Sequence, residues 1–279
     1  GVGLIPDAAA KAITAAVNRL QTSQLDFAAG TGQAGVPVPA LVSALRAEVG
    51  PDHASFVHWG ATSQDIVDSG LAVRLGKLLN IYTNSLRHLI LMLAELADRH
   101  RYTLMIGRTR TQAATPITFG LKAANWLAPM LRHRERLDQL RPRLVMLSLG
   151  GAAGSMSQLG PDARELSQLM ALRLGLACPD LPWHNQRDGM AEFASWLSLV
   201  SGSLGKVGAD IALMCQSEIA ELHLANAGGS SSMPQKNNPV SAEILQALAR
   251  FNAGNLANMH NALPHQMERD GAAWTLEWL

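Results

Sequence analysis

The chain has 279 residues, of which 48% are hydrophobic and 16% are charged, and its formal net charge is +1. This length supports the core of one or two domains, and a nearly neutral chain without a basic run argues against a nucleic-acid partner. No zinc-ligand spacing, phosphate loop or dinucleotide fingerprint occurs in the sequence, so neither a metal nor a cofactor is expected. The sequence shows no secretory signal and no apolar run of about 18 residues, which predicts a cytoplasmic protein without a membrane partner.

Helix formers dominate the composition, because alanine, leucine and methionine are abundant while aromatic residues make up only 5%. After residue 63, leucines and one tyrosine, Tyr82, recur every seven residues in two alternating seams that begin at Leu75 and Leu79. Residues 107–115 interrupt this pattern, and residues 30–38 read as a Gly/Pro-rich linker. In chain order, the sequence predicts helices over residues 7–22, 39–49, 64 to the interruption, 116–147, 161–174, 189–226, 239–262 and 268–279.

The helix predicted over residues 189–226 shows the strongest periodicity. Apolar residues occupy two seams over four heptads, one beginning at Met190 and the other at Phe193. Three glycines lie between the seams, and because each glycine weakens an isolated helix by up to about 1 kcal/mol, they predict close helix–helix contact. The sequence therefore predicts an all-α bundle of long helices that is extended by other subunits. These glycines are Gly202, Gly205 and Gly208.

A polar stretch at residues 228–239 reads Gly-Gly-Ser-Ser-Ser-Met-Pro-Gln-Lys-Asn-Asn-Pro. Its glycines and serines cannot pack a core, and they supply a mobile backbone with hydroxyls and exposed amides. Lys236 adds a positive charge, and Pro239 opens the next predicted helix. A hydroxyl-rich loop, a lysine and a helix N-terminus can together hold a carboxylate and stabilise charge that develops beside it. A plain polar connection between two helices is the alternative.

The same stretch resembles the signature loop of the fumarase/aspartase superfamily, usually written G-S-S-x-x-P-x-K-x-N-P. The resemblance implies that Ser230 is the catalytic acid/base, that Ser231 binds substrate, and that Lys236 and Asn238 hold a substrate carboxylate. It implies that Glu243 is the glutamate that pairs with a catalytic histidine. It also implies an all-α homotetramer with a central bundle of long helices and active sites shared between subunits. The matching positions are Gly229, Ser230, Ser231, Pro234, Lys236, Asn238 and Pro239.

Three other polar segments are similar to conserved regions of this superfamily. The run His-Trp-Gly-Ala-Thr-Ser-Gln-Asp implies that His58, Thr62 and Ser63 contact substrate, although Thr62 or Ser63 could instead only cap the next helix. The Gln-Arg-Asp run implies that Gln186 reaches the substrate, and a capped turn is its alternative. The closing segment of the chain also matches, and Arg269 within it is a candidate for binding a further carboxylate.

The region at residues 107–116 resembles G-R-T-H-x-x-x-A-x-P but departs from it at one position. The match implies that Thr109 contacts substrate, whereas Arg110 stands where the superfamily has a histidine acid. Arginine stays protonated near neutral pH and cannot shuttle a proton, but it binds carboxylates through two N–H groups. We therefore expect Arg110 either to pair with Glu243 or to bind a substrate carboxylate.

The carboxymuconate cycloisomerase subfamily shows the strongest resemblance, which implies lactonisation of a linear tricarboxylate diene in protocatechuate breakdown, the β-ketoadipate pathway. In that reaction a substrate carboxylate is the nucleophile, so no histidine acid is needed at the position of Arg110. An adenylosuccinate lyase-like C–N lyase and a non-catalytic helical scaffold are the alternatives. The order of the matches predicts a partial N-terminal helical domain at residues 1–63 and the bundle domain at residues 64–279, with the family's C-terminal domain absent.

Overall fold

A computed structural model of the chain describes residues 2–225 and 227–279. Within these residues the chain forms nine α-helices and one β-hairpin, which confirms the predicted all-α class. The elements are α1 (Asp7–Arg19), α2 (Phe27–Ala34), α3 (Val38–Val49), α4 (Ser63–Arg99), β1 (Leu104–Thr109), β2 (Gln112–Thr118), α5 (Phe119–Leu144), α6 (Ala163–Leu174), α7 (Asp188–Met214), α8 (Val240–Asn261) and α9 (Gly271–Trp278).

The chain folds into two compact units, each assembled from separate stretches of sequence. The sequence-based boundary after residue 63 falls inside the first unit, and the division into an N-terminal and a bundle domain stays a prediction. The first unit comprises Gly1–Lys77, Pro142–Asp188 and Ala262–Leu279, and the second comprises Leu78–Arg141 and Gly189–Asn261.

In the first unit, α1 packs beside α3, and Arg19 Nε lies 2.6 Å from Glu48 Oε1 at the surface. The segments that follow α5 and α6 join in a parallel bridge. Leu147 N donates to Ala177 O, and Ala177 N donates to Val145 O, both at 2.8 Å. Leu147 is 1% exposed, so this bridge lies in the core and fixes the start of the glycine-rich turn at residues 150–155.

In the second unit, the predicted leucine seam of α4 is buried, with Leu79, Leu86 and Leu93 between 0% and 8% exposed. Helix α7 packs on α8 through two of its glycines. A Cβ on Gly205 would lie 2.6 Å from Ala249 Cβ, and a Cβ on Gly208 would lie 2.6 Å from Ala242 O. The predicted close helix contact is therefore confirmed at these two positions. At Gly202 a Cβ would meet nothing within 4 Å in this chain.

Helix α2 occupies part of the segment that the sequence predicts to be a linker. Asp26 caps it, accepting from Ala29 N at 3.1 Å. Gly35 ends it in the left-handed conformation, with φ of 75°. These two end signals outweigh the low helix propensity of Gly30 and Gly32 inside the helix.

Helix α7 ends at Met214 rather than near residue 226, and Asn226 itself lies outside the described residues. Beyond the helix, Glu221 N folds back to donate to Met214 O at 3.0 Å, and Ala220 has a φ of 46°. By length and composition α7 could cross a membrane, since an 18-residue window has a mean hydropathy of 1.3. Core helices of bundles meet the same criterion, so the expected lack of a membrane partner stays a prediction.

Candidate active site

The polar stretch at residues 228–239, called the serine loop below, lies in the second unit and is closed at its base. Gly228 N donates to Asn238 O, and Asn238 N donates to Gly228 O, both at 2.8 Å. Asn238 Nδ2 adds a bond to Gly229 O at 3.3 Å. A Cβ on Gly228 would lie 2.5 Å from Val240 Cγ2, so a larger residue at this position would displace the Val240 side chain.

Inside the serine loop, the Ser230 hydroxyl oxygen accepts hydrogen bonds from two backbone amides. Met233 N lies 3.1 Å and Ser232 N 3.4 Å from Oγ. Because N–H donors aimed at an oxygen stabilise negative charge there, this arrangement favours a serine that exchanges a proton. Lys236 is exposed, and its own amide donates to Met233 O at 3.0 Å. The predicted acid/base and the predicted cation thus share one short loop, with Ser231 exposed beside Ser230.

Helix α8 begins directly after the serine loop. Pro239 O accepts from Glu243 N at 3.0 Å, so Pro239 is the residue before the helix rather than its first residue. Glu243 lies in the first turn of α8 and is exposed. The sequence therefore locates this helix start to within one residue.

The interruption at residues 107–115 is part of a β-hairpin that the sequence does not predict. Arg110 and Thr111 form its tip with φ of 49° and 69°, and this pair of positive values is typical of a type I′ turn. Neither residue is glycine or asparagine, and the strands lack alternating polarity, so no hairpin signal is present in the sequence. The helix predicted from residue 116 is wrong at its start, because Pro116 pairs with Ile106 in the hairpin and α5 begins at Phe119.

Thr109 ends β1, and Arg110 is exposed at the tip of the hairpin. The neighbouring Arg108 binds both carboxylate oxygens of Glu221, with NH1 2.8 Å from Oε2 and 3.0 Å from Oε1. Among the described residues of one chain, no ion pair joins Arg110 to Glu243. The alternative expectation, an arginine open to a ligand, is therefore the one compatible with the single chain.

In the first unit, a single buried carboxylate organises the loops that contain predicted substrate residues. Asp65 is 2% exposed and accepts from Thr62 N at 2.8 Å, in the manner of a capping box at the start of α4. It also accepts from Gly150 N at 2.7 Å, Gly151 N at 3.1 Å and His184 Nε2 at 2.8 Å. Three segments that are distant in sequence therefore meet on Asp65.

The glycine-rich turn donates to Asp65 through Gly150 N and Gly151 N, and its carbonyl groups accept hydrogen bonds from Arg269. Arg269 NH2 donates to Gly151 O at 3.1 Å and to Ala152 O at 2.8 Å. The next residue, Asp270, caps α9 by accepting from Ala272 N at 2.9 Å and Ala273 N at 3.1 Å. Hydrogen bonds from the backbone, led by that from Ala273, lower the pKa of Asp270. Arg269 is thus fixed from both sides while remaining exposed.

The loop before α7 is anchored by a buried arginine and leaves Gln186 exposed. Arg187 NH1 lies 2.8 Å from Asp68 Oδ2, and its Nε lies 2.7 Å from Glu277 Oε2. The three side chains are at most 3% exposed, and the Arg187 guanidinium also stacks 4.7 Å from the Trp183 ring. Burial by itself lowers the pKa of Arg187. The hydrogen bonds to Glu277 and the negative charges of Asp68 and Glu277 raise it by more, so the pKa of Arg187 lies above its ordinary value.

His58 precedes this network and has a left-handed backbone, with φ of 64°. Burial lowers the pKa of His58, Asp65 opposes this, and Arg46 acts with burial. The imidazole is therefore neutral near pH 7. His58 and Ser63 line one cavity of about 340 Å³, so the structure brings these two predicted residues together.

The sequence does not reveal Asp65, His184 or Arg187 as organisers of the site, although all three stand inside recognised runs. A usable signal exists only for Asp65, because Thr-Ser-Gln-Asp has the spacing of a capping box. The bonds to Gly150 and His184 join residues 85 and 119 positions apart, which no local pattern indicates.

The long helices and the serine loop together are typical of one class of enzyme, the lyases. A family model described as lyase matches residues 2–251. The chain therefore belongs to this lyase family. This match and the relatives below confirm the resemblance to the fumarase/aspartase superfamily.

Individual relatives are similar over nearly the whole chain. The 3-carboxy-cis,cis-muconate cycloisomerase of Pseudomonas aeruginosa is 43% identical over 282 residues, covering 99% of this chain and 61% of the relative. The enzyme of the same name from Pseudomonas putida is 40% identical over 282 residues, covering 99% of this chain and 67% of the relative. The crystal structure of 3-carboxy-cis,cis-muconate lactonizing enzyme from Pseudomonas putida superposes with a TM-score of 0.89 at 41% identity, covering 99% of this chain and 62% of that chain.

Proposed function

We propose that this protein catalyses the cycloisomerisation of 3-carboxy-cis,cis-muconate to 4-carboxymuconolactone. The observation on which this choice rests is Arg110, a permanent cation at an exposed hairpin tip where a histidine acid would serve a lyase. The names of the relatives that are 40–43% identical support the same reaction. The chain spans about three fifths of the length of the relative from Pseudomonas aeruginosa.

In the proposed reaction a carboxylate oxygen of the substrate adds to a C=C bond of the same molecule. The C–O bond forms as the π bond breaks, and the π electron pair moves onto the adjacent carboxylate as a dianionic enolate. Lys236 and the amides of the serine loop stabilise this charge electrostatically. A proton then reaches the carbon next to that carboxylate, and the product is an isomer of the substrate, so no cofactor or second substrate is consumed.

Ser230 is proposed to supply this proton. A serine hydroxyl is a weak acid, and it works in this role only where a positive field stabilises the alkoxide left behind. The two amides that donate to Ser230 Oγ and the charge of Lys236 in the same loop can supply that field. Arg110, Arg269 and His58 are the candidates for binding the remaining carboxylates of the substrate, with Asn238, Thr109 and Gln186 as neutral hydrogen-bonding groups.

An ultraviolet assay tests this proposal. Purified protein is mixed with 3-carboxy-cis,cis-muconate, and loss of the diene absorbance is compared for wild type, Ser230→Ala and the matched control Ser232→Ala. We expect Ser230→Ala to lower kcat by about 100- to 10,000-fold, as for other general acids, and Ser232→Ala to stay within a few-fold of wild type. An inert diene with turnover of adenylosuccinate would favour the C–N lyase, and no turnover of either would favour the scaffold.

Self-association into a homotetramer with shared active sites is part of the proposal. Four apolar side chains of α8 lie on one face and are exposed by 41% to 65%. Such a stripe on a monomer is a candidate for contact with a second copy of the chain. Light scattering after size exclusion would measure the assembly, and a monomer at assay concentration would contradict it. The four exposed residues of α8 are Val240, Ile244, Leu248 and Phe251.

Location in the cytoplasm stays a prediction.

A further inference from the structure

A cavity of about 340 Å³ in the first unit lies between helix α3, the loop residue His58 and Ser63 at the start of α4. Its α3 side is apolar at Val38 and Val42 and becomes polar at Ser43 and Arg46. Neither Ser43 nor Arg46 lies in a stretch of sequence that resembles a superfamily motif. The cavity therefore combines two predicted substrate residues with an arginine that has no assigned role.

Arg46 is positioned by the protein but keeps most of its donors. Its NH2 group donates to Val57 O at 3.2 Å, on the residue immediately before His58. Among the described residues, Arg46 forms no ion pair, whereas Arg19 on the neighbouring helix is paired with Glu48 at 2.6 Å. A guanidinium has five N–H donors, so one anchored Arg46 can still bind a carboxylate through two of them.

The groups around Arg46 favour an anion rather than a cation in this cavity. His58 is neutral near pH 7, and Asp65 already accepts four hydrogen bonds, so neither offers the cavity an unsatisfied charge. Ser63 is the first residue of α4, and a helix N-terminus carries a partial positive charge. The left-handed backbone of His58, at φ of 64°, is the kind of strain that concentrates at functional sites.

We propose that this cavity binds one carboxylate of the substrate, with Arg46 as the residue that recognises its charge and His58 and Ser63 as hydrogen-bonding partners. This inference rests on the proposed function, because it assigns a place to one of the three carboxylates. The serine loop contains a single cation, Lys236. A tricarboxylate therefore needs cations outside that loop, and Arg46 makes the protein select a tricarboxylate over a dicarboxylate.

Kinetics of Arg46→Gln, Arg46→Lys and the control Arg19→Gln with 3-carboxy-cis,cis-muconate test the role of Arg46. We expect Arg46→Gln to raise KM by about 10- to 100-fold with little change in kcat, since it removes a charged hydrogen bond made in both ground and transition state. Arg46→Lys keeps the charge and should recover part of this loss, while Arg19→Gln should match wild type. An unchanged KM in Arg46→Gln would overturn the proposal.

Binding without turnover separates this proposal from the proposed function. Calorimetric titration would compare propane-1,2,3-tricarboxylate with glutarate for wild type and Arg46→Gln. The proposal expects wild type to prefer the tricarboxylate and Arg46→Gln to lose that preference while keeping its affinity for glutarate. A preference that survives in Arg46→Gln would overturn the subsite even if the diene is lactonised. A preference lost only in Arg46→Gln would support the subsite even if the diene is inert.

Discussion

The two units organise their predicted site residues in opposite ways. In the first unit, the carboxylates of Asp65 and Asp68 are at most 2% exposed, and each is fully engaged by buried donors. In the second unit, the serine loop is exposed along most of its length and is held mainly by its own backbone at Gly228 and Asn238. The network around Asp65 and Asp68 is therefore formed without substrate and held by many contacts, whereas the serine loop is held by few contacts.

This difference suggests a division of labour between the units. Groups that recognise carboxylates gain from rigid placement, because binding then costs little conformational entropy. A loop that must bring Ser230 to a carbon atom and then release product gains from low local stability. Substitutions in the rigid network should therefore cost more stability than substitutions in the weakly held loop or at the surface.

The largest expected loss of stability comes from Arg187→Met. The substitution leaves the carboxylates of Asp68 and Glu277 buried without their cation, and breaking such an ion pair costs about 3–5 kcal/mol. The control Arg164→Met removes a surface pair whose Asp180 partner is 95% exposed, and it should cost at most about 1 kcal/mol. Urea unfolding measures the loss of stability in Arg187→Met and in Arg164→Met. Equal losses in the two variants would contradict a rigid, buried network around Arg187.

Asp65→Asn should affect both stability and binding. The amide keeps the shape of the side chain but presents N–H groups to donors, so we expect a loss of about 2–3 kcal/mol and a rise in KM. The rise in KM follows because Thr62 and Arg269 depend on Asp65 directly or through Gly151. Ser69→Ala, a buried control that removes the bond to Ser148 O at 2.8 Å, should lower stability but leave KM unchanged. A normal KM in Asp65→Asn would show that this network does not position the site.

Gly208→Ala should weaken the contact of α7 with α8. The added methyl group would lie 2.6 Å from Ala242 O, so the helices must separate, and overpacking of this kind costs about 1–3 kcal/mol. Gly202→Ala is the matched control on the same helix, where a Cβ meets nothing within 4 Å. It should be neutral or stabilising by up to about 1 kcal/mol. Thermal unfolding measures the stability of both variants. A loss of stability in Gly202→Ala would indicate that a second copy of the chain covers that face of α7.

The smallest expected effect is a decline of stability in mild acid. Burial lowers the pKa of His58, His133 and His265, so as pH falls below about 6.5 the unfolded chain binds protons first and the folded state loses stability. Burial raises the pKa of Asp68, which acts in the opposite direction at lower pH. His133→Gln can keep a bond to Ser203 Oγ and should show a shallower decline. A rise in the urea midpoint from about pH 7 to pH 5.5 would contradict this account.

Much of the fold can be predicted from the sequence because local periodicity specifies it. The heptads of α4 identify the buried seam of Leu79, Leu86 and Leu93, and the helix–helix contacts of Gly205 and Gly208 are expected because glycine is costly inside a helix. The hairpin could not be predicted, since Arg110 and Thr111 adopt positive φ without glycine or asparagine. Here tertiary context overrides local preference.

The site is less accessible to sequence reasoning than the fold. The serine loop is continuous in sequence, so the sequence alone groups Ser230, Lys236 and Asn238 in one loop. The Asp65 network and the Arg46 cavity are assembled from segments that meet only after folding. No spacing rule relates α3 to His58, so Arg46 could be found only from the folded chain.

The most direct test of the central claim is the position of hydrogen in the product formed in D₂O. The diene is converted by the wild-type protein in D₂O, and the product is examined by NMR and mass spectrometry. Addition of a carboxylate oxygen to the double bond, followed by proton delivery from an exchangeable hydroxyl, predicts a lactone with one deuterium on the carbon next to a carboxylate. A lactone without deuterium at that carbon, or cleavage of the substrate into two fragments, would contradict the proposed reaction.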